Sequence, residues 1–357
     1  NEKNEEVNAM SAQLLSVSAQ PDEKKMAVSF RLVLSLYLII PVCLLLQLLD
    51  GWFWGNNLAE NLPSSPSHYL LFQVLFGTPH IIASTIILIS NSEYLNFYKQ
   101  KIIGMSMAII IVFGFGSLII PYSVLYLIVA FWTIFHVLKQ QHGIARGICK
   151  LPTWAFNLML WLSVTGGFFI YVGIFLKNSL DAQQKEWIVQ LAAALCACLI
   201  LSAVLCQRYV TTGFGKWFLW SNVGLVISSF YLFVQQYYFF AILVPRLVHD
   251  ATAYLFYVTH DYNKHNRHPQ NFIYRQAWRC HLHVFIVLPL FSFFLTFILQ
   301  AYGDKAVNVV TGFFFGMEIS KAVTLGLLGY LGLMHYYTEA FTWKQGSPYR
   351  RFIAFTK

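Results

Sequence analysis

Charge is scarce in this chain. Of 357 residues only 11% are charged, where a soluble domain carries about a quarter, while 57% are hydrophobic and 17% aromatic. That deficit, with a mean hydropathy of +0.57, excludes a soluble globular domain and indicates an all-α polytopic membrane protein. Cysteine is sparse too. Cys43, Cys149, Cys196, Cys198, Cys206 and Cys280 form no C-x-x-C pair and no disulfide spacing, which argues against iron–sulfur clusters and a disulfide framework. Internal repeats and low-complexity segments are missing. Residues 1–25 hold no apolar run, so no cleavable signal peptide is expected and 1–26 reads as a mobile polar tail. The formal net charge of +9 does not indicate nucleic acid, because the basic residues lie in short loops beside apolar runs, where they set orientation.

About ten runs are long enough to cross a bilayer: 28–49, 67–90, 102–120, 122–142, 153–176, 187–206, 217–236, 238–261, 281–301 and 308–341. Together they make a single transmembrane domain over 27–343, followed by a basic-aromatic interfacial tail over 344–357. Lys24, Lys25 and Arg31 precede the first run, and the loop 50–66 has neither lysine nor arginine. Alternating sides from there puts most basic residues on one face, so the positive-inside rule predicts both termini in the cytoplasm.

Within the run 238–261, apolar enough to span, stand Arg246, His249, Asp250, Tyr254, Tyr257, His260 and Asp261. Ionisable groups at membrane depth are costly and persist where they line a cavity, pair with one another or bind something. His249 and His260 share a helix face, but eleven residues rise about 16 Å, so both cannot hold one ion. Either can be the main ligand, and the deeper His249 is the better candidate. Counted from the cytoplasmic end of each run, His249 and His80 lie about 18 and 15 Å deep, and His335 and His136 about 9 and 8 Å. Four histidines from four helices thus come within about 10 Å of one another in depth. Glu339, four residues after His335, shares its helix face and can complete a chelate. Gln140 can orient His136, whereas His142 points about 120° away from it. His260 and His142 remain secondary metal candidates. The predicted metal set is therefore His80, His136, His249, His335, Glu339, His260 and His142, with Arg246, Asp250, Tyr254 and Tyr257 as catalytic candidates. Pro79, directly before His80, predicts a kink.

Imidazoles with a carboxylate and no thiolate suit a transition metal: iron first, with zinc or copper as alternatives. The arrangement resembles the integral-membrane non-haem iron oxygenases, loosely the microbial β-carotene dioxygenase family that forms retinal. That resemblance implies His80, His136, His249 and His335 as iron ligands and an oxygenase or oxidoreductase acting on a lipid, fatty-chain or isoprenoid substrate. It also implies the cytoplasmic membrane of a bacterium, with a cytoplasmic electron donor as partner. The H-x-x-H-H boxes of membrane desaturases are absent. Three other classes use similar residues: an acyl- or glycosyltransferase with a histidine base, a proton- or ion-coupled transporter, and a bis-histidine haem protein.

Overall fold

The computed structural model describes residues 25–63, 77–319 and 321–356. The expected mobile tail therefore lies outside the described residues except for its last two positions. Among the described residues, twelve helices and a two-stranded parallel sheet follow one another as β1 (Ala27–Ser29), α1 (Phe30–Phe53), α2 (Asn57–Asn61), α3 (Thr78–Ser90), α4 (Ser92–Leu118), α5 (Tyr122–Cys149) and α6 (Thr153–Phe175). Then come α7 (Ala182–Tyr209), α8 (Gly213–Val234), α9 (Tyr238–His265), α10 (Phe272–Arg279) and α11 (Val284–Phe315). A π-helical turn, Ala322–Leu327, leads into α12 (Leu328–Thr342), and β2 (Ala354–Thr356) ends the chain.

Eight of these helices are long and apolar enough to cross a membrane. Two of the ten predicted spans take another form. The first half of 67–90 lies outside the described residues, and the described part, α3, has 13 residues. Pro79 sits in the first turn of α3, where its missing N–H costs no hydrogen bond, so the described residues show no kink there. The run 308–341 is broken in the middle. Gly316, at φ +65°, ends α11 in the left-handed region, and Lys321 adopts φ 56° before the chain turns back. Asp304 fixes that return, accepting from the Val323 N–H at 2.7 Å and from the Thr324 hydroxyl at 2.7 Å. Close approach there depends on Gly303, because a Cβ would stand 2.7 Å from Val323 Cγ1.

α9 is the axis of the bundle. It packs against α1, α3, α5, α8 and α11. Of its apolar window 67% is buried, against 11–56% for the other spans. Lipid offers no hydrophobic drive for helix association, so such contacts rest on packing and hydrogen bonding. At Gly173 of α6 a Cβ would collide with the Phe233 ring of α8. Pro245 inside α9 cannot donate to the Ala241 carbonyl, and Ser229 of α8 does so instead, at 2.5 Å.

The expected interfacial tail folds back onto the body. β1 and β2 pair in parallel, Ala27 opposite Ala354 and Ser29 opposite Thr356. Asn263 of α9 clasps both ends: its Oδ1 accepts from Met26 N at 2.9 Å, and its Nδ2 donates to Met26 O at 2.9 Å and Phe352 O at 2.8 Å.

Candidate metal centre

Four helices each deliver one imidazole to a single point: His80 from α3, His136 from α5, His249 from α9 and His335 from α12. One ring nitrogen from each lies within 4.8 Å of the others, and all four residues are buried. Among the described residues this is the one group of histidine, cysteine or carboxylate side chains with metal-binding geometry.

Protons can be assigned at two of the rings. Ser84, one turn after His80, donates its hydroxyl to the Ile81 carbonyl at 3.0 Å and so meets His335 Nδ1, 2.6 Å away, as an acceptor. His335 therefore carries its proton on Nδ1. Asp250 Oδ1 lies 3.0 Å from His80 Nδ1, and a carboxylate there favours the proton on that nitrogen too. Both Nε2 atoms are left with lone pairs, and they face each other at 2.9 Å. Two such lone pairs repel unless a cation or an added proton lies between them. Nitrogens on adjacent positions around one first-row ion, each about 2.0–2.1 Å from it, stand about 3 Å apart. The widest separation, 4.8 Å, is about 0.6 Å more than the ~4.2 Å of two nitrogens across an ion.

The other two rings lack such anchors. His249 is fully buried, and neither of its ring nitrogens makes a hydrogen bond to a described residue. A buried group left in that state costs about 1–3 kcal/mol. His136 Nε2 lies 3.5 Å from Glu339 Oε2, which is also 3.9 Å from His335 Nε2. Donors on either side hold Glu339: the Tyr257 hydroxyl on Oε1, and Gln140 Nε2 at 3.4 Å from Oε2. Gln140 thus positions the carboxylate and not the His136 ring.

Arg246 Nε lies 3.3 Å from Asp250 Oδ2, one helical turn away, with Tyr336 and Tyr171 also facing the guanidinium. With both carboxylates ionised, Asp250, Glu339 and Arg246 carry one net negative charge, which a bound cation offsets. The residues present therefore fit a transition-metal ion: four nitrogen donors, a carboxylate at the edge, and outer partners that fix ring orientation.

The remaining sequence candidates go elsewhere. His260 spends both nitrogens on protein partners, Tyr94 at 2.7 Å and Asp261 at 2.8 Å. It stacks on Tyr349 with ring centroids 4.3 Å apart and is not part of the four-histidine group. His142 turns toward α6, with Ser163 Oγ 3.0 Å from its Nε2. Tyr254 pairs with Ser292 of α11 at 2.8 Å, away from the histidines. Asp250 lies beside His80, Arg246 beside Asp250, and Tyr257 against Glu339. Sequence reasoning missed Ser84 and Tyr171; the signal for Ser84 was its place four residues after His80.

The centre opens on one side. His136, Tyr336 and Glu339 line a mostly apolar cavity of about 1140 Å³ between α5 and α12. Comparison with protein-family models, curated proteins and solved structures gives no match for the chain, so the chemistry of the site has to be read from its geometry.

Proposed function

We propose that this chain is an integral-membrane, metal-dependent oxidoreductase whose ion, iron by preference, is held by His80, His136, His249 and His335, and which acts on a lipophilic substrate. The observation that carries the reading is the pair of Nε2 lone pairs facing each other at 2.9 Å beside two further buried imidazoles. Bound iron would supply oxygen activation, with dioxygen as oxidant and a cytoplasmic donor for any electrons the substrate does not provide. The protein's own part is to orient the rings through Ser84 and Asp250, keep Glu339 at the edge through Tyr257 and Gln140, and exclude bulk water. A lipophilic substrate fits because the cavity beside His136 is mostly apolar.

The four rings also weigh against the haem reading. Centroid separations of 4.6–5.1 Å between them leave no space for a porphyrin. The test is elemental analysis of the detergent-purified chain together with oxygen uptake. About one equivalent of metal per chain is expected in the wild type and less than a tenth in His249→Ala and His335→Ala, with lipid-dependent oxygen uptake lost in both. Wild-type protein below a tenth of an equivalent, or variants loaded like the wild type, would overturn the proposal.

A further inference from the structure

The cavity has a polarity of its own. Toward the C-terminal end of α5 it is lined by Lys139, Lys344 and Arg350; toward the other end by Val124, Ile128 and Phe131. Among the described residues no carboxylate pairs with any of the three cations. Lys139 lies over the Phe135 ring at 4.8 Å and Arg350 over the Phe355 ring at 4.5 Å. Such contacts leave the charge without an anion. Glu339, the acid in the lining, is already taken by Tyr257, Gln140 and the histidines. Gly143 and Gly147, one turn apart, also line the cavity, and a Cβ at either would meet open space, so a ligand can approach the α5 backbone there.

The geometry points to a single-chain amphiphile with an anionic head as the occupant: its head lies among Lys139, Lys344 and Arg350, and its chain runs past His136 along the apolar wall. This rests on the proposed lipophilic substrate and narrows it. Lys139 follows His136 by one helical turn, about 4.5 Å along the axis, and Val124 lies about 18 Å the other way. The first carbons after the head therefore face the four-histidine centre, and the far end of the chain does not. Guanidinium and ammonium groups recognise carboxylate and phosphate heads alike.

Binding measured in nanodiscs of neutral lipid separates this proposal from the metal reading. The probes are oleate, oleyl alcohol, dodecyl phosphate and inorganic phosphate, with protein metal content measured in parallel. Oleate should bind at least tenfold tighter than oleyl alcohol. Lys139→Gln combined with Lys344→Gln, two exposed positions, should weaken oleate at least tenfold while leaving oleyl alcohol and metal content unchanged. His249→Ala should bind oleate like the wild type even though its metal is lost. Dodecyl phosphate binding that depends on the same lysines supports an anionic head of the phosphate kind. Equal affinity for oleate and oleyl alcohol, no response to the double substitution, or inorganic phosphate binding as tightly as either amphiphile would each overturn the proposal.

Discussion

Ser84 shows how much one hydroxyl decides. By accepting from His335 Nδ1 it leaves that ring with only Nε2 to offer an ion. Partners of this kind typically change metal affinity by about 10–100-fold when removed. Ser84→Ala should keep the fold and lower affinity by about that factor in a chelator competition; unchanged affinity would mean that the contact does not set the ring. His260 is the contrast. From sequence His249 is the better candidate on this helix and His260 a secondary one, and the structure shows why the second drops out: Tyr94 and Asp261 absorb both of its nitrogens. Its neighbour Tyr274 donates to Asp261, and burial with that carboxylate pushes the phenol up from its usual value, keeping it a donor.

Among the elements, α9 bears both the site and its own defect. Pro245, one turn before His249, frees the Ala241 carbonyl, and Ser229 caps it from the next helix. Ser229→Ala should lower stability by about 1–3 kcal/mol by leaving that carbonyl unpaired. Pro245→Ala, which restores the helical N–H, should recover most of that loss in the double variant. Thermal unfolding in detergent checks this, and additive losses would show that the serine acts elsewhere. Span-forming helices were largely legible because length and apolarity dominate them. The break in 308–341 was not, since Gly316 and Lys321 punctuate an otherwise apolar run and Asp304, which holds the turn, lies far upstream. Of the candidate site, His80, His136, His249 and His335 were legible from depth alone, because helix rise fixes how far each lies from a span end. Which helices are neighbours is a packing fact, invisible to periodicity.

Over the whole molecule, the two ends of the described chain meet at the C-terminal end of α9. Asn263 joins the segment before β1 to the segment before β2, and Phe30 stacks on Phe355 at 4.9 Å. The same C-terminal segment supplies Arg350, Ile353 and Phe355 to the cavity wall. Asn263→Ala should leave the transmembrane body folded and loosen this clasp, seen as faster proteolysis within 344–356 and weaker amphiphile binding at unchanged metal content. Proteolysis at the wild-type rate would show that the strand pairing suffices without the asparagine.

The central claim is that four imidazoles from distant parts of the chain share one ion. X-ray absorption at the edge of the bound metal tests it most directly, because imidazole rings scatter in a recognisable pattern beyond the first shell. A shell of nitrogen and oxygen neighbours with ring scattering from four imidazoles is the predicted spectrum. A sulfur shell, or scattering from a single imidazole, would contradict it.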